Sequence, residues 1–184
     1  MENARRYWPV LKYLPDCAAD DFYLANLGRQ FWAGRHWLAV GRNVADNEAL
    51  EKLARPGDFM FKTLDFPGPL SLGRPAPGAD WDDAMQLAAA ALTASFSPKA
   101  KQHDGPVRVR VARDETSREV VIPAGLTTEA AGENTPTDRR WRALTWEEVK
   151  PEIHALRKPQ ARAARTGKAD LDVAGENSAS PEPA

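Results

Sequence analysis

Gly41-Arg42-Asn43 stands where an apolar run, Trp37-Leu38-Ala39-Val40, gives way to a helical pattern. The first backbone N–H groups of a helix have no partner inside it. A guanidinium and a carboxamide placed beside them are equipped to hold a phosphate or another anion. The same spacing also serves the chain itself, with Asn43 capping the helix and Arg42 paired to Asp46 or Asp65. Asn47 falls in the first helical turn, where its side chain reaches backbone. Asp65-Phe66-Pro67-Gly68-Pro69 is a turn sequence whose carboxylate can orient an arginine. Arg108 and Arg110 alternate with Val107, Val109 and Val111, the pattern of a half-buried strand with its basic residues on the open side. Arg29, Arg35, Lys62 and Arg74 complete a candidate anion-binding set. Tyr23, Phe31, Trp32 and Trp37 lie among these residues, and basic groups beside aromatics form surfaces that pair phosphates and stack bases. The competing reading is an ordinary solvated surface, since Asp and Glu, at 26, match Lys and Arg, at 25.

Other chemistry is poorly provided for. His36, His103 and His154 are far apart and lack the spacing of a metal site. Cys17 is alone, which removes intramolecular disulfides and cysteine-based zinc sites and fits a reducing compartment. No phosphate-cradling glycine loop and no G-x-S-x-G turn occurs. No pair of titratable groups stands out as acid and base, so the expectation is a non-enzyme without cofactor or metal. A net charge of −1 means that any nucleic-acid binding needs a local patch. One region is clearly basic: Arg139, Arg140, Arg142, Lys150, Arg157, Lys158, Arg162, Arg165 and Lys168. It reads either as a salt-sensitive arm for RNA or as a solubilising tail. With neither a signal peptide nor a membrane span in the sequence, the expected location is the cytoplasm.

The elements that would position these residues are those of an α+β domain over 1–123. Its small antiparallel or mixed sheet carries two packed helices. Residues 1–20 read as an irregular lead-in packed on the domain, because Pro9 and Pro15 oppose a long helix. Phe22 to Trp32 and His36 to Gly41 read as a hairpin turning at Ala33-Gly34. A helix follows from Asn43 to Ala54, then strands at Phe59 to Leu64 and Leu70 to Leu72. The alanine-rich run after Asp80 is a second helix, stopped by Pro98. Val107 to Val111 and Glu119 to Ile122 are the last strands. Residues 124–144 read as a linker. Thr145-Trp146-Glu147-Glu148 is a capping-box pattern opening a helix over 145–158. Its Trp146, Val149, Ile153 and Leu156 suit docking in a partner's groove. Residues 159–184 read as a disordered tail.

The ordered signals over roughly 20–123 resemble the NFACT-R type of RNA-binding domain, in the divergent form found beside tRNA 2-thiouridylase-like proteins. That family reads G-R-N, N-x-x-L, D-x-W-x-H and D-x-P-G-S-H, followed by an alanine-rich helix and a V-x-V strand. The counterparts here are Gly41-Arg42-Asn43, Asn47 and Leu50, Asp58, then Asp65, Pro67 and Gly68. Ala84 to Ser97, Lys99 and Val107 to Val111 follow in the same order. The family's tryptophan and histidine are replaced by Met60 and Lys62 or their neighbours, and its serine-histidine by Pro69-Leu70. The resemblance implies a tRNA- or rRNA-binding module with a role in ribosome quality control or tRNA modification. A protein–protein adaptor of a tRNA-modifying enzyme is the alternative.

Overall fold

The computed structural model describes residues 2–124 and 140–155, in two compact units, Met1–Leu144 and Thr145–Ala184. The first unit runs α1 (Glu2–Tyr13), α2 (Ala19–Asn26), β1 (Arg29–Ala33), β2 (His36–Val40), α3 (Val44–Leu53), β3 (Phe59–Thr63) and β4 (Leu70–Arg74). It continues with α4 (Asp83–Ser95), α5 (Pro98–Lys101), β5 (Val107–Arg113) and β6 (Thr116–Ile122). The six strands form one sheet in the order β1-β2-β4-β3-β5-β6. Every neighbouring pair is antiparallel. The fold is therefore α+β, as expected, with a purely antiparallel sheet.

Side chains alternate across a strand, so the sheet can hold a core on each face. On one face Leu38, Val40, Phe59, Phe61, Val107, Val109 and Val111 pack with the alanine-rich α4. The small residues of α4 let its backbone lie close to the sheet, and Thr93 Oγ1 bonds Ser71 Oγ at 2.8 Å. Trp81 stacks on Phe59 with ring centroids 5.0 Å apart. Gly73 makes room for it, since a Cβ there would stand 2.3 Å from the Trp81 ring. On the other face Trp32, Trp37, Ala39, Leu70 and Leu72 pack with Val10, Leu24, Ala25 and Leu50 of α1, α2 and α3. These three helices cover only the β1-β2-β4 half. Met60 is partly buried at their border. Beyond it the β3-β5-β6 half presents Lys62, Arg108, Arg110, Glu119 and Val121, all exposed.

The amino-terminal segment differs from the sequence reading. Residues 2–13 are a helix despite Pro9, and the expected strand Phe22 to Trp32 is helical as far as Asn26. A proline at this position removes an N–H and crowds the preceding turn. Pro9 and Val10 are fully buried, so tertiary packing holds α1 where local propensity opposes it. In α2 the apparent alternation of Tyr23, Ala25 and Leu27 misleads. The buried residues are Asp21, Leu24 and Ala25, at helical i, i+3, i+4 spacing. The strand begins only after Gly28, whose φ is +53.

Smaller shifts have local causes. Asp82 rather than Asp80 caps α4, accepting from the Met85 N–H at 2.9 Å. Asp80 instead pairs with Arg113 at 2.8 Å. Pro98, expected to stop α4, opens the short α5, where a missing N–H is harmless. Gly68 does not need a positive φ. Its lack of a side chain matters because a Cβ would stand 2.6 Å from Thr63 Oγ1. Arg142, in the stretch read as linker, forms an antiparallel bridge with Trp32. Its neighbour Trp141 packs on Trp81 with centroids 4.8 Å apart.

In the second unit residues 146–155 are helical. The capping box forms as read: the Thr145 N–H donates to Glu148 Oε2 at 2.8 Å, and the Glu148 N–H to Thr145 Oγ1 at 3.4 Å. Leu156 and the basic residues Arg139, Arg157, Lys158, Arg162, Arg165 and Lys168 lie outside the described residues.

Candidate nucleic-acid interface

The exposed half-face is built by cross-strand register. Lys62 of β3 is the Cα partner of Arg110 of β5, and Arg110 is the partner of Glu119 of β6. Directly paired residues share a face, so the three side chains rise together from the sheet. Among the described residues, neither Lys62 nor Arg110 has a carboxylate within ion-pair distance. Arg108, two residues along, is held differently. Its Nη2 and Nε donate to Asp65 Oδ1 at 2.7 and 3.0 Å, and its backbone N–H donates to Asp65 Oδ2 at 2.7 Å. Glu119 reaches its Nη1 at 3.5 Å. The Arg108 hydrogen bonds hold the Asp65 carboxyl below its ordinary pKa, and the same contacts raise that of Arg108. Asp65 thus orients Arg108 rather than Arg42.

The G-R-N segment is mostly used internally. Asn43 Oδ1 caps α3 by accepting from the Asp46 N–H at 2.8 Å. Asn47 Oδ1 accepts from the Leu70 N–H at 3.1 Å, tying α3 to β4. Gly41 is required beside it, because a Cβ would stand 2.1 Å from that oxygen. Arg42 donates its backbone N–H and its Nε to Asp46 Oδ2, at 3.1 and 3.0 Å. Burial works to raise the Asp46 pKa, but these Arg42 bonds and the guanidinium charge outweigh it, and the carboxyl lies below its ordinary value. Of the segment, the two Nη groups of Arg42 have no hydrogen-bond partner among the described residues, and the side chain is 46% exposed.

Arg74, expected on the nucleic-acid surface, is buried. Its Nη2 bonds Asp58 Oδ2 at 2.7 Å and the Leu53 carbonyl at 3.1 Å, its Nη1 bonds Asp21 Oδ1 at 2.6 Å, and its Nε bonds Asp58 Oδ1 at 3.1 Å. Two buried carboxylates around one guanidinium make a structural node that ties α2 to the sheet. The signal was in the sequence. Leu70, Leu72 and Arg74 alternate, so Arg74 points to the same covered face as the two leucines.

Arg29 is exposed at the sheet edge with its guanidinium 4.6 Å from the centre of the Phe96 ring. Arg35 is exposed in the β1–β2 turn. The aromatics do not form a stacking platform on the open half-face. Trp32 and Trp37 stack on each other in the core at 5.0 Å, Phe31 is half-buried, and Tyr23 is exposed on α2. Arg5 and Arg6 of α1, absent from the sequence-level set, join Arg29 and Arg42 around one cavity. Among the described residues no three of His, Cys, Asp and Glu gather as metal ligands do, and no helix is long and apolar enough to cross a membrane.

The β3-β5-β6 half of this antiparallel sheet is thus uncovered and carries Lys62, Arg108 and Arg110 beside Glu119. Residues 28–133 match the family model of the NFACT protein RNA binding domain, and the chain belongs to that family. Among solved structures it is similar to the C-terminal part of the fibronectin/fibrinogen-binding protein from Streptococcus suis. Identity there is 22% and the TM-score 0.44, over 54% of this chain and 46% of that one. The chain thus spans less than half the length of that relative. No curated protein matches it.

Proposed function

We propose that this protein is a non-enzymatic, cytoplasmic RNA-binding module directed at tRNA or rRNA, and that it reads the RNA backbone with the β3-β5-β6 half-face. The carrying observation is the exposed Lys62–Arg110 pair. Like charges directly opposite each other across two strands destabilise a sheet, and a phosphate between them removes the repulsion. Membership of an RNA-binding family supports the choice of RNA as the anion. By the resemblance, Met60 and Lys62 or their neighbours stand where relatives carry tryptophan and histidine, and Leu70, at the histidine of the last motif, is the Cα partner of Lys62. This chain then offers a cation where, by the resemblance, its relatives carry tryptophan and histidine.

Arg108 adds a third positive charge at the rim, tempered by Asp65. Arg42, Arg29 and Arg35 extend the basic surface to the β1 side of the sheet. Asn43, Asn47 and Arg74 act by holding that surface in place. The basic residues from Arg139 to Lys168 add affinity that is independent of sequence and falls with salt.

The reading as an adaptor of a tRNA-modifying enzyme is less well supported. Val149, one of the apolar residues that would dock, is itself buried. Fluorescence anisotropy of the full chain with tRNA, an rRNA fragment and an unrelated DNA duplex tests the proposal. Preferential RNA binding that weakens about tenfold in Lys62→Thr/Arg110→Thr is the expected result, on the scale of two lost exposed ion pairs at about 0.7 kcal/mol each. Equal binding to all three ligands, unaffected by the substitutions, contradicts it.

A further inference from the structure

The cations of the open half-face step along β5 toward a corner of the sheet. Arg108 lies two residues, about 7 Å, from Arg110. Its partner Asp65 opens the turn Asp65-Phe66-Pro67-Gly68. α5 is pinned against this turn: Ser97 Oγ donates to the Pro67 carbonyl at 2.7 Å, and Ala100 is buried in the core. The loop after α5 brings His103 onto Phe66, with ring centroids 5.0 Å apart and planes at 55°. The His103 N–H donates to the Ala100 carbonyl at 3.3 Å. Gly105 leaves room for the imidazole, since a Cβ there would stand 2.7 Å from its Nε2. His103 is also close enough to Asp65 to help hold that carboxyl below its ordinary pKa. His103 is exposed, and Phe66 is half-buried against the α4 core. Lys99 and Lys101, on either side of Ala100, are exposed, and among the described residues neither has a carboxylate within ion-pair distance. Asp65 is engaged by Arg108, which leaves the exposed Asp104 as the acid of this loop.

From this corner we infer that the protein takes unpaired rather than duplex RNA, stacking a base on the His103–Phe66 pair while the backbone runs across Arg108, Arg110 and Lys62. This rests on the RNA-binding reading and adds the form of RNA that is accepted. Phosphate contacts position a backbone but do not report whether its bases are paired. A ring does report it. Only a base with a free face stacks on a side chain, and histidine and phenylalanine are among the residues that receive splayed bases. Proteins that hold single strands combine the two features found here, a basic track and rings beside it. Phe66 backs the imidazole, so His103 is ordered before RNA arrives and gives up little freedom on binding. Lys99 and Lys101 meet the phosphates flanking the stacked base, as compact charges that do not select its identity. Trp32 and Trp37, the larger aromatics, are enclosed in the core and cannot serve in this way.

Fluorescence anisotropy of the full chain with a short labelled RNA strand, alone and annealed to its complement, decides it. The single strand is expected to bind more tightly than the duplex. His103→Ala weakens the single strand about tenfold, the scale of one lost base stack, and leaves the duplex unchanged. His103→Phe keeps a ring but no imidazole nitrogen, and it retains single-strand binding to within about twofold if the ring acts by stacking. Lys62→Thr/Arg110→Thr weakens strand and duplex alike. Because His103 is exposed, its variants are expected to unfold at the wild-type urea midpoint, which checks that any loss is one of binding. Equal affinity for strand and duplex, or single-strand affinity unchanged in His103→Ala, overturns the inference. Equal losses in His103→Ala and His103→Phe overturn the stacking role. If RNA binding then still depends on Lys62 and Arg110, the corner site fails and the RNA-binding reading stands. If neither form of RNA binds, both fail.

Discussion

Lys62 and Arg110 are Cα partners across β3 and β5, both exposed, and neither is in ion-pair contact with a carboxylate among the described residues. A sheet selected for stability alone would place opposite charges or β-branched residues there. Lys62→Thr is therefore expected to stabilise the fold by about 0.5 kcal/mol from relieved repulsion, and Arg110→Thr by less, because it also gives up the opposite charge of its other cross-strand partner, Glu119. Urea denaturation of the two single variants measures this. A midpoint lowered in both would mean that the pair is not repulsive.

Asp65 restrains the nearest further cation. Asp65→Asn keeps an acceptor for the Arg108 N–H and removes the charge that clamps the guanidinium. RNA affinity is expected to rise a few-fold, with a salt dependence steeper by about 0.7–0.9 in log–log slope, the increment for one added phosphate contact. Affinity that falls or stays constant would show that Arg108 has no part in the interface.

Arg74 offers the opposite case. Removing it as Arg74→Met leaves Asp21 and Asp58 buried without their cation, which costs about 3–5 kcal/mol. Denaturation should show this loss, while binding per folded molecule stays at the wild-type level. A specific drop in RNA affinity with unchanged stability would return Arg74 to the binding surface.

Much of this architecture is legible in the sequence where local chemistry and tertiary packing agree. The Asn43 cap, the alanine-rich α4, the valine alternation of β5 and the Thr145 capping box each carry their own signal. The misreadings come where packing overrides propensity. Pro9 sits inside a helix because both it and Val10 are buried, and α2 is helical although Tyr23, Ala25 and Leu27 alternate as in a strand, because the residues it buries, Asp21, Leu24 and Ala25, follow helical spacing. The site was legible in part. The alternation of β5 marks Arg108 and Arg110, and Lys62 is legible only as one basic residue among several; their juxtaposition depends on strand order, which joins β3 to β5 across the intervening β4, α4 and α5. Arg5 and Arg6 lay in a segment read as lead-in and could not be assigned to a cavity formed only when α1 packs beside β1.

Acid should expose the ionic part of the fold. Asp46, Asp65 and Asp80 all have pKa values below the ordinary one in the folded state. For such groups the folded state favours the ionised form. Their contribution is complete above the unfolded value, about 4, and is lost as pH falls through the lower folded values. Denaturation midpoints should be flat from neutrality to about pH 5 and drop below about pH 4, with a shallower drop in Asp46→Asn. A midpoint that begins to fall near neutrality would require a different titrating group.

The salt dependence of RNA affinity, measured on the full chain with and without Lys62→Thr/Arg110→Thr, tests the central claim most directly. If the open half-face holds phosphates, the log–log slope of the double variant is shallower by about 1.4–1.8, the amount for two contacts, and affinity at low salt falls with it. An unchanged slope and affinity would mean that RNA is held elsewhere, and the half-face reading would be wrong.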